Sequence, residues 1–229
     1  IETIGDYTFK GCKNIYNIYY IKSSGLTKEG SEIFGDIQTF TLRGNKEIGT
    51  SITTINGKEI TKELTVGKSG EKTRYMYSEE YKLLTMYEEG EMGNYAEEQS
   101  PWYPLNTSIE KVLIEYGITK ISESAFYELT KLQTIEVNDT NKQYSSENGN
   151  LFDKEKKVLI QYMITNEQTE YTIGSMIEEV KERAFRSASH LKTLLVAQGN
   201  NHFVSENGII YGSNKETLHV YPNGKEEMI

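Results

Sequence analysis

Histidine, cysteine and clustered carboxylates are where metal binding or proton transfer would have to begin, and this chain of 229 residues sets few of them in useful patterns. His190, His202 and His219 form no H-x-x-x-H pair, so no single short element presents two imidazoles to one ion, and surface or strand-edge placement is expected. Glu88-Glu89-x-Glu91 and Glu97-Glu98 could gather a cation, but they lack the alternating Asp/Asn and the Gly of a calcium loop and read as solvated turns. Cys12 is the only cysteine, which excludes a disulfide framework or a thiolate metal site within one chain. There is no G-x-S-x-G elbow, phosphate-cradling loop or dinucleotide fingerprint. No catalytic residue, metal or cofactor is therefore assigned, and the chain reads as non-enzymatic. Asn106-Thr107-Ser108 and Asn138-Asp139-Thr140 match the N-glycosylation pattern, which is short enough to arise by chance. One motif has the chemistry of a contact: in Ser100-Pro101-Trp102-Tyr103-Pro104, an exposed Trp102-Tyr103 pair could stack on a sugar or anchor a partner.

Composition narrows the partner. With 34 acidic and 25 basic residues the net charge is −9, which disfavours nucleic acid and an anionic membrane surface. No run approaches the ~20 apolar residues of a membrane span, so no membrane insertion is expected. The chain opens on Ile rather than on a charged and then apolar leader, and reads as a fragment or a processed chain. Seventeen tyrosines beside 7 Phe and 1 Trp suit solvent-rimmed sheets and contact surfaces.

The elements that must position any contact residue are organised by a repeat. Residues 118–162 align without a gap on 177–221: Ile118 meets Ile177, Ala125-Phe126 meets Ala184-Phe185, Leu132 meets Leu191, Val137 meets Val196, and Ser146-Glu147-Asn148-Gly149 meets Ser205-Glu206-Asn207-Gly208. A copy of the first half opens the chain, with Phe9 at the place of Phe126 and Ile15 at that of Leu132. Within a unit, Ile118 and Ile121 precede a short helical or turn-like segment anchored by Ala125-Phe126, and Leu132, Ile135 and Val137 follow with the rhythm of a short strand. Such a unit has one apolar side that only stacking can bury, which predicts a solenoid. Asn148-Gly149 and Asn207-Gly208 supply the positive-φ pair of a tight turn and predict a β-hairpin excursion in each long repeat. Residues 25–80 lack the repeat signature and are rich in Thr, Ile and Tyr; turn signals at Gly44-Asn45, Asn56-Gly57 and Gly67 to Gly70 predict short strands joined by tight turns.

The pattern I-x-x-I-G-D-Y-x-F-x-G-C-x-x-I over residues 1–15 resembles the BspA-like leucine-rich repeats of bacterial and protozoan surface proteins, and 118–137 and 177–196 resemble the same unit. The phrase N-x-x-Y-x-S-x-N-G-x-L-F is similar to the long-repeat variant of that family, and residues 83–121 are similar to a lead-in found before such repeats. Ser122 and Lys181 stand where the unit usually has Gly, and Leu129 and Ala188 where it has Cys; Cys12 occupies that small core position and is expected to be buried. The expected fold is a β-rich, leucine-rich-repeat-like solenoid with a strand and a short helix or turn per unit, β-hairpin excursions and a small β-rich insertion. Its parts would be an N-terminal unit over 1–24, the insertion over 25–82, and lead-in strands with long repeats over 83–229 (118–176 and 177–229).

The resemblance implies a cell-surface or extracellular protein that adheres to host or neighbouring-cell proteins, so the expected partner is an extracellular protein, such as a matrix or plasma protein, or a glycan. On the sheet, the outward positions would be Asn17 and Tyr19, Lys111 and Leu113, Thr134 and Glu136, and Thr193 and Leu195, with Leu113 and Leu195 exposed. Two alternatives compete: a passive surface scaffold, and a carbohydrate-binding module using Trp102 and Tyr103. A further reading of Trp102 has it cap an open end of the solenoid core.

Overall fold

The computed structural model describes residues 3–12, 15, 17–20, 28–35, 37, 41–45, 54–163, 167–186 and 188–225. They form two compact units, residues 1–66 with 76–80, and residues 67–75 with 81–229. Among the described residues the regular structure is strand throughout, apart from one 3-10 turn at Tyr103–Leu105. The helical option for the anchor segment is not realised. Around Ala125-Phe126 the amides of Ala125, Tyr127 and Leu129 each bond to the carbonyl three residues back, and the left-handed backbone of Glu128 (φ 51°) stops any propagation into an α-helix.

In the first unit, strands Asn17–Tyr20 and Thr41–Asn45 run parallel, with Asn17 opposite Thr41 and Tyr19 opposite Arg43. Thr41–Asn45 in turn pairs in parallel with residues 60–64 of Lys58–Lys68. The segment expected as a turn-linked insertion is thus β-rich, but its strands stack in parallel like those of the repeats. Gly44-Asn45, expected as a turn, lies within a strand. Asn56-Gly57 does form the expected hairpin, both residues being left-handed (φ 46° and 76°). The anchor of the second turn is Phe34, whose ring stacks on Phe9 with centroids 6.1 Å apart. Phe9 and Tyr7 donate their amides to Ile33 and Ser31, and Gly30 donates to Ile4. A side chain at Gly30 would strike the backbone of Gly5, so these two turns approach as closely as they do because that residue has no Cβ.

In the second unit, strands Leu83–Tyr87, Lys111–Ile114 and Thr134–Val137 form a parallel ladder in which Leu84, Val112 and Ile135 stand side by side. All three are buried, as are Met86 and Ile114, giving the inward rows of a solenoid core. Glu170–Ile173 and Thr193–Val196 form a second, two-stranded parallel ladder. Each copy then makes its excursion. Tyr144–Glu147 pairs with Asn150–Asp153 through left-handed Asn148 and Gly149, and Phe203–Glu206 pairs with Ile209–Gly212 through left-handed Asn207 and Gly208. The hairpin tips fold back onto the preceding ladders: Ile135 donates its amide to Gly149 and Leu194 to Gly208.

One asparagine per copy ties stacked turns together. The Asn141 amide nitrogen donates to the carbonyls of Glu115 and Ile118, and its Oδ1 accepts from the amides of Gln143 and Tyr144. Asn200 repeats the arrangement with Gly174, Ile177, His202 and Phe203. These bonds satisfy backbone groups that a short strand leaves without ladder partners.

Candidate functional site

Strand alternation sends the expected contact residues outward. Around inward Val112 and Ile114, Lys111 is exposed and Leu113 half-buried; on the neighbouring strand Thr134 is half-buried and Glu136 exposed. Lys111 lies in register with Thr134 and Leu113 with Glu136, so the four side chains form a two-by-two patch on one ladder. On the second ladder Thr193 and Leu195 are half-buried beside Glu170 and Thr172. Leu113 and Leu195 are less open than expected; Thr85 and Glu136 flank Leu113 in register, and Thr172 flanks Leu195. In the first unit Tyr19 is 38% exposed, and Asn17 lies on the same strand, its side chain falling outside the described set. Within the second unit, with a hairpin tip folded onto each ladder, the six expected residues form two short patches.

The aromatic pair is placed otherwise than expected. Trp102 is fully buried, donates from Nε1 to the Ala125 carbonyl at 2.7 Å, and meets Tyr75 and Tyr95 edge-on at 5.4 and 5.5 Å. An indole with no accessible face offers no platform for a sugar. Tyr103 is half-buried, its ring 6.4 Å from that of Tyr127.

Cys12 is half-buried, whereas Leu129 and Ala188 at the same repeat position are buried. The three histidines are exposed and separate, His219 resting edge-on against Phe203. Among the described residues no group of three His, Cys, Asp or Glu could hold a metal. The acidic turn is engaged in ion pairs, Glu88 with Arg74 and Glu91 with Lys120.

A charged cluster not anticipated from the sequence stitches the two copies at equivalent positions. Arg183 donates to the Ser124 hydroxyl at 2.9 Å and Arg186 to the Tyr127 hydroxyl at 3.3 Å, both across 59 residues, the repeat length itself. Both guanidinium groups converge on Glu97, at 3.0 and 2.5 Å, and that of Arg186 lies 4.5 Å above the Tyr127 ring. The bond from Arg186 holds the Glu97 carboxyl below its usual range. The same offset that revealed the repeat pairs Arg186 with Tyr127, so the signal was present in the alignment.

This architecture of stacked short parallel strands, tied by asparagines and punctuated by hairpins, agrees with the sequence profile that matches the chain. The profile, BspA type Leucine rich repeat region, matches in 6 copies over residues 1–61 and 103–220, well over half of the chain. The chain belongs to the BspA-type leucine-rich repeat family. The match over 1–61 takes in much of the segment whose strands stack in parallel in the first unit. No curated protein sequence matches this BspA-type chain. Among solved structures it is similar to a leucine-rich repeat protein from Eubacterium ventriosum, with 19% identity, a TM-score of 0.48, and coverage of 72% of this chain and 52% of that one. It is also similar to the pneumococcal vaccine antigen PcpA, with 19% identity, a TM-score of 0.39 and coverage of 87% and 38%. A leucine rich cell surface protein from Faecalibacterium prausnitzii is a third, with 18% identity, a TM-score of 0.36 and coverage of 86% and 59%. The BspA-type chain thus spans less than two thirds of the length of each.

Proposed function

We propose that this chain is a non-enzymatic binding module, displayed at a cell surface or in the extracellular space, that engages a protein partner through the outward rows of its parallel strands. The observation that carries the reading is the register of Lys111–Ile114 against Thr134–Val137. It sets a cation, a leucine, a threonine and a carboxylate side by side on one rigid patch. Chemistry that varies from rung to rung on a fixed lattice suits specific recognition of a large partner, because the lattice holds the side chains at little entropic cost on binding. Thr193 and Leu195 on the second ladder and Tyr19 in the first unit extend the same chemistry. Family membership supports the surface location.

The test is binding of the purified chain to a panel of extracellular-matrix and plasma proteins and glycans at low and high salt. The expected result is saturable binding to one protein that survives salt and weakens at least tenfold in Leu113→Asp or Leu195→Asp, with unchanged melting temperature. Silence across the panel would favour a passive scaffold, and binding confined to glycans would overturn the protein reading.

A further inference from the structure

Turn-on-turn packing inside the second unit shows what the edge of Leu218–Val220 can take. On Val158–Gln161, 59 residues earlier, the next turn arrives in parallel with Leu159 opposite Val180. The Lys181 amide donates to the Leu159 carbonyl at 3.0 Å, and the Tyr162 amide to the Ala184 carbonyl at 2.8 Å. The Phe185 ring lies 5.2 Å from that of Tyr162. Leu218–Val220 keeps the same register on its own hairpin, with Leu218 opposite Tyr211 as Leu159 is opposite Phe152. Leu218 and Tyr221 therefore stand where Leu159 and Tyr162 do, but exposed.

The arriving turn has a counterpart in the first unit. Thr3–Ile4 aligns with Glu179–Val180 through Lys120-Ile121, and Phe9 with Phe185 through Phe126. The backbone agrees: Cys12, Leu129 and Ala188 each donate to the carbonyl of the anchor phenylalanine three residues back. On one side Thr3–Ile4 receives Lys28–Glu29 in parallel, the Ile4 carbonyl accepting from Gly30; on its other side it pairs with nothing among the described residues. Backbone groups of successive strand residues point to opposite sides, so with Ile4 turned to Lys28–Glu29 the amides of Thr3 and Gly5 point outward. Burial records the missing cover. Val180, Ala184 and Phe185 are buried, whereas Ile4 and Phe9 are half-buried and Thr8 is exposed. A cavity of about 230 Å³ opens here, with Ile4, Thr8 and Phe9 in its wall.

We propose that the Leu218–Val220 edge of one molecule is a docking surface for the Thr3–Ile4 turn of a second copy of this chain, in a head-to-tail contact that repeats the chain's own turn-on-turn packing. Ile4 then lies opposite Leu218, the Gly5 amide donates to the Leu218 carbonyl, the Tyr221 amide donates to the Thr8 carbonyl, and the Tyr221 ring enters the cavity beside Phe9. The occupant is a second copy because every molecule carries both complementary edges. Such a contact is heterologous: the two surfaces differ, and losing either one prevents association. It uses strand edges rather than the outward rows, so it is independent of the function proposed above.

Sedimentation velocity of the whole chain over a range of concentrations tests this. A two-residue strand with one leucine and one tyrosine makes a small interface, so association with Kd on the order of 100 μM is expected. Leu218→Asp and Thr8→Arg replace exposed residues on the two edges, and each should weaken association at least about tenfold with unchanged melting temperature. Mixed in equal amounts, these two variants should form a 1:1 dimer with a Kd close to that of the native chain, because each supplies the edge the other lacks. Should Thr8→Arg fold poorly, Thr3→Pro removes an outward amide from the same edge. A native chain that stays monomeric to about 1 mM, association that survives in either variant alone, or folded variants whose mixture stays monomeric would each overturn the proposal.

Discussion

The third strand of the first excursion, Val158–Gln161, and its counterpart Leu218–Val220 have matching sequences and opposite fates. Leu159 is 0% and Tyr162 1% exposed, while Leu218 is 56% and Tyr221 43% exposed. Both strands pair with the hairpin before them, but Val158–Gln161 also receives Glu179–Val180 in parallel, with Leu159 opposite Val180. Among the described residues nothing pairs with the far edge of Leu218–Val220. Tyr162 is further enclosed by Tyr171 and Phe185 at 4.9 and 5.2 Å. The lesson is that in a solenoid a residue's burial belongs to its neighbouring turn as much as to its own sequence.

The sharpest way to break this comparison is to truncate both leucines. Leu159→Ala should cost about 2–5 kcal/mol, the range for emptying a close-packed core site, whereas Leu218→Ala should stay within about 0.5 kcal/mol, as for other surface changes. Urea unfolding of the two variants checks it, and equal costs would mean that the exposed strand is covered in solution.

The stacking asparagines come next. Asn141 is fully buried and Asn200 half-buried, although both make the same four bonds. Asn141→Ala strands two carbonyls and two amides away from water and should cost on the order of 3 kcal/mol; Asn200→Ala should cost roughly half as much, because water can replace part of what is lost. The ratio between the two, read from the same unfolding curves, measures how far each turn is sealed by the next.

How much of this was legible depends on whether the cause was local. The hairpins at Asn148-Gly149 and Asn207-Gly208 could be read because a dipeptide alone demands positive φ at both residues, and the ladders because alternation needs only four residues such as Lys111 to Ile114. Trp102 could not be read as buried. Its enclosure depends on Tyr75, Tyr95 and a carbonyl 23 residues ahead, none of which has a signature at Ser100 to Pro104. Phe34 has no counterpart at the 59-residue repeat spacing, because the stack in the first unit advances by the shorter turn from Phe9 to Phe34.

An alkaline titration probes the covered turns more gently. Burial pushes the Tyr171 phenol up to about 12, and the Tyr87 phenol likewise to about 12, with Glu88 adding to the rise there. Both phenols have raised values in the folded state, so their contribution is fully present below the unfolded value of about 10 and is lost as pH climbs toward 12. The melting temperature should therefore fall over that window. Tyr171→Phe should flatten the fall, and Tyr87→Phe should do so as well.

The smallest effect belongs to the cluster that ties the copies at their surface. Glu97 is held below its usual value chiefly by the bond from Arg186, so its contribution is present above the unfolded value of about 4.3 and is lost as pH falls through the folded one. Its partners are more than a third open to water, so salt should screen most of the attraction. Arg186→Ala removes both the carboxylate bond and the guanidinium over Tyr127, and should lower the melting temperature slightly at pH 6 and less at pH 3. A double-mutant cycle with Glu97→Gln at low and high salt separates the two parts: what vanishes with salt is the ion pair, and what survives is the packing of Arg186 on Tyr127 across the repeat. A coupling that does not diminish with salt would place the cluster among the buried ties of the fold, beside Asn141, rather than on its solvated rim.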